Sequence, residues 1–175
     1  MAKIRFLDTF AKNIPKMNKA IFLDRDGVIN KELGDYVYRL EDLEVNAGVI
    51  DSLVELKARG YLLIVITNQS GIAKKIYGHQ EVQAIHSSIA KSLEAKGVEI
   101  AAFYYCPHHP DFSNCLCRKP GSVMVEKAMA RFNIDPAVSY FVGDRDRDVE
   151  AGEAVGVKGV KIEANTGLQP LLDLL

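Results

Sequence analysis

Cysteine is scarce and local in this 175-residue chain: there are three, Cys106, Cys115 and Cys117, all in one short stretch. An odd set confined in this way excludes a disulfide framework and points to a metal or redox cluster in a reducing compartment. An excess of charge of one sign is missing too. The 22 Lys and Arg nearly balance the 23 Asp and Glu, and a formal charge of -1 leaves no electrostatic footprint for nucleic acid or an anionic membrane. No apolar run approaches the length that spans a bilayer. Residues 1–18 carry Lys3, Arg5, Asp8, Lys12 and Lys16 among scattered apolar residues, without the continuous apolar centre of a secretion signal. They read as an extension ahead of a single domain over 19–175. No internal repeat or low-complexity segment occurs. The remaining composition, 48% hydrophobic and 26% charged, is that of a soluble globular domain long enough to bury a continuous core. The expectation is a cytoplasmic monomer with neither nucleic-acid nor membrane partners.

Apolar stretches recur along the chain, each closed by polar or turn residues. Strands are expected at 19–24, 61–66, 100–105, 138–142 and 157–162, and the run Tyr61 to Ile66 is dense enough for a strand buried on both faces. Between them, Ile50, Leu53 and Val54, then Val82, Ile85, Ile89 and Leu93, fall at helical spacing. These predict helices over 47–59 and 80–96, closed by Gly60 and Gly97, with further helices over 122–132, 147–155 and 168–175. Residues 31–46 read as a long loop. Strands alternating with helices imply an α/β fold, a doubly wound parallel sheet with helices on both faces.

The chemistry concentrates where strands end. Ala20 to Leu23 stops at Asp24-Arg25-Asp26-Gly27, two carboxylates separated by one residue. Alone, Asp-x-Asp-Gly also suits a plain turn. Later strand ends supply Thr67-Asn68, Arg118-Lys119 beyond the cysteine loop, and Asp144 with Asp148. In a doubly wound sheet such ends converge on one crevice. Clustered carboxylates suit Mg²⁺, which keeps several waters and takes a phosphate; a hydroxyl, backbone N–H groups and a lysine suit phosphate oxygens. Together they describe phosphoryl transfer with an aspartate nucleophile. The loop Cys106-x-His108-His109-x₅-Cys115-x-Cys117 offers three thiolates and an imidazole, a closed set for tetrahedral structural Zn²⁺; spacing alone leaves the choice between His108 and His109 open.

The ordered set Phe22-Leu23-Asp24-Arg25-Asp26-Gly27-Val28, Thr67-Asn68, Lys119, and Gly143-Asp144 with Asp148 resembles the four motifs of the haloacid dehalogenase (HAD) superfamily of phosphatases. The Thr67-Asn68-Gln69-Ser70-Gly71 segment and the Cys-Pro-His-His-Pro loop ending in Cys-x-Cys-Arg-Lys-Pro are similar to its zinc-containing branch, the heptose bisphosphate and histidinol-phosphate phosphatases. The resemblance covers nearly everything after residue 18. It implies Rossmann-like topology and these roles. Asp24 is the nucleophile, and Asp26 is the acid and base at the leaving oxygen. Thr67 and Lys119 hold the transferring phosphoryl group. Asp24, Asp144 and the backbone carbonyl of Asp26 hold Mg²⁺. Cys106, His108, Cys115 and Cys117 hold Zn²⁺ in the loop 106–119.

Superfamily members often carry a cap domain, but residues 30–47 and 70–106 are too short for one here. The pocket should therefore be rimmed by 31–38 and the zinc loop, and suit a small extended sugar-phosphate ester. Arg25, Glu32, Asp35, Asn68, Gln69, Ser70, Arg118 and Arg145 are the expected substrate contacts, Glu32 and Asp35 for hydroxyls and Arg118 for a second phosphate. Asp148 is expected to pair with Lys119 or stand behind the metal, and His86 to be packed or on the surface. The histidinol-phosphate members typically have a Glu-Pro-Pro segment at the rim where this chain reads Glu32-Leu33-Gly34-Asp35, which favours a heptose bisphosphate.

Overall fold

The computed structural model describes residues 16–175. Five strands form one parallel sheet in the order β3-β2-β1-β4-β5. They are β1 (Ala20–Leu23), β2 (Leu62–Asn68), β3 (Ala102–Cys106), β4 (Tyr140–Gly143) and β5 (Lys158–Lys161). The helices between and after them are α1 (Val49–Ala58), α2 (His79–Glu94), α3 (Val123–Phe132), α4 (Asp146–Glu153) and the short α5 (Gln169–Leu172). The central β1 pairs with β2 on one side and β4 on the other. The strand order therefore reverses beside Asp24, and a crevice opens there at the carboxyl edge.

Period-2 alternation distributes β1 between two cores. Ile21 and Leu23 face Leu53 and Leu56 of α1 and Ile85, Ile89 and Leu93 of α2. Ala20 and Phe22 face Met124, Val125 and Ala128 of α3 and Ala151 of α4. Burying each large apolar side chain is worth roughly 1.5–3 kcal/mol, so both faces anchor the strand whose end carries the carboxylates.

Most element boundaries shift by one or two residues from the sequence reading, the fourth strand starting at Tyr140 after a 3-10 turn over Pro136–Val138. β2 runs on through Thr67 and Asn68, because these pair with Tyr105 and Cys106 of β3. The loop 31–46 contains a 3-10 turn at Leu40–Asp42. The closing helix is shorter than the 168–175 expected, with Pro170 in its first turn. Of the N-terminal extension, 1–15 lie outside the described residues, whereas Asn18 is tied to the domain by hydrogen bonds with Asn133 and Asp135. Among the described residues no helix is long and apolar enough to cross a membrane.

Candidate active site

Lys119 is the hub of the crevice floor. It is 1% exposed, yet its Nζ lies 2.8 Å from Asp24 Oδ1, 2.7 Å from Asp148 Oδ1 and 2.7 Å from the Ile66 carbonyl oxygen. A buried ammonium is tolerable only when its donors are matched in this way. Asn68 fixes the backbone beneath it: its side-chain amide donates to the Lys119 carbonyl at 3.1 Å and accepts from the Lys119 N–H at 3.0 Å. The expectation that Asp148 pairs with Lys119 matches this geometry. Gly143 makes the approach possible, since a Cβ there would lie 2.1 Å from the Asp148 Cβ.

One oxygen each from Asp24, Asp144 and Asp148 falls within a 4.8 Å cluster. Burial raises the pKa of both Asp144 and Asp148, and the nearby Asp24 charge raises them further, against the pull of Arg145 and Lys119 respectively. Carboxylates that resist sharing a charge are a natural seat for a divalent cation, and this donor set fits Mg²⁺. The Asp26 carboxylate is not among the three. It faces another way, taking bonds from Arg25 Nη2 at 2.9 Å, Asn30 Nδ2 at 2.9 Å and Gln69 Nε2 at 3.0 Å.

The cavity above the floor measures about 370 Å³. Asp24, Asp26, Thr67 and Asn68 line its base, and Glu32, Asp35, Tyr36, Ser70 and Arg118 its walls. Three residues expected to contact substrate lie elsewhere. Arg25 is 1% exposed, because its guanidinium is engaged by Asp26 and the Val37 carbonyl. Gln69 is equally enclosed, bonded to Asp26, Thr67 and Tyr77. Arg145 pairs with Asp144 at 2.9 Å outside the lining. In their place the walls include His109 and Arg147, which the sequence reading left out. Arg147 is two residues on from Arg145, so the turn into α4 decides which arginine faces the cavity. In the sequence His109 stands out only as an alternative zinc ligand.

Beside the cavity, Cys106, His108, Cys115 and Cys117 bring their donor atoms within 4.8 Å of one another. Cys106 Sγ lies 3.7 Å from Cys115 Sγ, 3.3 Å from Cys117 Sγ and 3.5 Å from His108 Nδ1. A tetrahedral ion with bonds of about 2.3 Å to sulfur needs edges of about 3.7 Å, so the cluster is compatible with zinc. Burial pushes the Cys106 thiol up to about 12, so a metal there would have to displace its proton. His109 is turned away toward Asp111, 3.5 Å from its carboxylate. Arg118 donates to the His108 carbonyl at 3.2 Å, which ties the cavity wall to this loop.

A HAD-hydrolase-like family model matches residues 116–168. The chain is 43% identical over 155 residues to the D-glycero-beta-D-manno-heptose-1,7-bisphosphate 7-phosphatase of Haemophilus ducreyi, covering 85% of this chain and 84% of that one. It is 41% identical over 145 residues to the corresponding alpha-heptose enzyme of Photorhabdus laumondii, covering 79% of each. The crystal structure of the D,D-heptose 1,7-bisphosphate phosphatase of B. bronchiseptica, complexed with magnesium and phosphate, superposes with a TM-score of 0.79 at 30% identity, over 89% of this chain and 86% of that one. Identity at this level, over about four-fifths of the chain or more, makes this chain a member of the heptose-1,7-bisphosphate 7-phosphatase family of HAD-type hydrolases.

Proposed function

We propose that the protein removes the 7-phosphate from a D-glycero-D-manno-heptose 1,7-bisphosphate through a phosphoaspartate on Asp24. The observation that carries this reading is the pairing of Asp24 with a buried Lys119, at the end of the central strand and beside Asp144 and Asp148. Lys119 fixes the orientation of the Asp24 carboxylate, leaving its other oxygen to face the cavity as nucleophile. Thr67 and the Asp26 backbone N–H after β1 receive the transferring phosphoryl oxygens, while the buried Lys119 charge directly behind Asp24 steadies the charge that spreads as the bond breaks. Asp26 sits above, held by Arg25, Asn30 and Gln69, to protonate the departing sugar oxygen and then accept a proton from the attacking water. Mg²⁺, held by Asp24, Asp144 and the Asp26 carbonyl, would supply neutralising charge opposite the lysine.

The rim supports a substrate with hydroxyls in its middle and an anion at its far end. Glu32 and Asp35 present acceptors, while Arg118 and Arg147 present cations. Zinc on Cys106, His108, Cys115 and Cys117 would hold Arg118 at its post. The same reading has the chain act as a cytoplasmic monomer on a small sugar phosphate. Phosphate release is the test, measured with Mg²⁺ on the α and β heptose 1,7-bisphosphates and on histidinol phosphate. Wild type should prefer a heptose bisphosphate, and Asp24→Asn should lose at least about 10³-fold in kcat, the scale of losing a covalent nucleophile. A clear preference for histidinol phosphate would overturn the substrate, and an active Asp24→Asn would overturn the mechanism.

A further inference from the structure

Tyr77 lies outside every motif read from the sequence, yet it is 8% exposed and bonded into the backing of the site. Its hydroxyl donates to Gln69 Oε1 at 2.8 Å. The other end of that amide, Nε2, donates both to Asp26 Oδ2 at 3.0 Å and to Thr67 Oγ1 at 2.9 Å. A side-chain amide has two faces of opposite polarity, and a carboxylate tolerates only the donor face. The carboxylate therefore draws Nε2 toward Asp26, and the phenol, kept protonated by burial, holds the amide there by donating to the Oε1 at its other end.

The chain is shaped to deliver this ring. Residues 70–77 curl back on themselves through hydrogen bonds from Lys74 to Ser70, from Lys75 to Ile72 and from Ile76 to Gly71. Lys75 takes a left-handed φ of 59° in that curl. Position 71 must be glycine, since a Cβ there would lie 2.1 Å from Tyr77 Cε1. From the rim, Tyr38 stacks on Tyr77 with centroids 5.1 Å apart, and Tyr36 meets it edge-on at 5.7 Å. Tyr77 thus touches the rim loop on one side and the holder of Asp26 on the other.

Building on the phosphatase reading, we infer that Tyr77 is a positioning residue for leaving-group protonation, acting through the Gln69 amide to hold Asp26 in working geometry. It contacts neither the phosphoryl group nor the cavity. Its hydroxyl matters most when the departing oxygen needs a proton. A sugar alkoxide does; the stabilised oxyanion of p-nitrophenyl phosphate does not.

The experiment compares wild type, Tyr77→Phe, Gln69→Leu and the double variant, each with Mg²⁺, on heptose 1,7-bisphosphate and on p-nitrophenyl phosphate. Tyr77→Phe keeps the ring and its stacking. It should lower kcat on the sugar phosphate about 3- to 10-fold, the scale of one hydrogen bond, with KM and melting temperature little changed. Turnover of p-nitrophenyl phosphate should fall less than 2-fold on the same scale. In the Gln69→Leu background, Tyr77→Phe should add nothing, because the amide it orients is gone. Equal losses on both substrates, an additive double variant, or a Tyr77→Phe enzyme indistinguishable from wild type would each overturn the inference. A wild type that hydrolyses neither ester would instead overturn the phosphatase reading beneath it.

Discussion

The floor and the rim of the cavity are built in opposite ways. On the floor, Asp24, Thr67 and Asn68 sit at or just past strand ends, and Lys119 ties Asp24 to Asn68 and to Asp148 from the first turn of α4 by short bonds. On the rim, Glu32, Asp35, Arg118 and Arg147 come from loops and the start of α4; Asp35 and Arg147 are exposed, and Glu32 and Arg118 half-buried. Phosphoryl transfer needs charges fixed before the reaction begins, because preorganised dipoles lose no free energy to rearrangement. Choosing a sugar needs only groups that reach it, and loops on a rigid sheet supply those. The floor should therefore fail through stability and turnover together, the rim through recognition.

Lys119→Met breaks the floor most severely. It strands Asp24 and Asp148 in a buried place without their cation, and an unpaired buried charge costs about 3–5 kcal/mol. Urea denaturation should show a loss of that size, together with loss of phosphate release. If Lys119→Met is as stable as wild type, the floor is not the interlocked unit described above.

The rim should break through its cysteine loop. Replacing Cys117 by serine removes one of four converging donors and, with it, the closed set that suits zinc. The variant should purify with little zinc by mass spectrometry, and proteolysis should cut within 107–117. KM for the bisphosphate should rise about tenfold as Arg118 loses its anchor, while the melting of the sheet changes less. Full activity in a verified zinc-free protein would separate the loop from substrate recognition.

The same division governs what the sequence discloses. Strand ends are legible because apolar runs stop abruptly at Asp24, Thr67 and Gly143-Asp144, and sheet topology gathers them without further information. The cysteine loop is legible because its ligands are close in sequence. Gln69 and Arg25 carry the polar chemistry of substrate contacts, and nothing in the pattern says that their side chains turn inward to Asp26. Arg145 and Arg147 differ only in where the first turn of α4 points them, a matter of helix phase. Tyr77 is beyond reach from sequence, since its partnership with Gln69 depends on the curl at 70–77 and not on a motif.

The smallest expected effect lies behind the floor, at His86. Its ring stacks on Phe103 with centroids 4.6 Å apart, and its Nε2 is buried without a hydrogen-bond partner among the described residues. Burial, aided by the Arg25 charge, lowers its pKa to about 3. The neutral imidazole is thus the folded form, whereas the unfolded chain takes up a proton near pH 6.5. Below that pH the unfolded state binds more protons, so stability falls as pH drops from 6.5 toward 3, by up to about 1.4 kcal/mol per pH unit for one proton. His86→Phe keeps an aromatic ring on Phe103 and removes both the titration and the unsatisfied nitrogen. Its denaturation midpoint should match wild type at pH 7.5 to within about 1 kcal/mol and exceed it at pH 5. If the two proteins lose stability in parallel on acidification, the acid sensitivity belongs to the carboxylates of the floor and not to the histidine packed behind it.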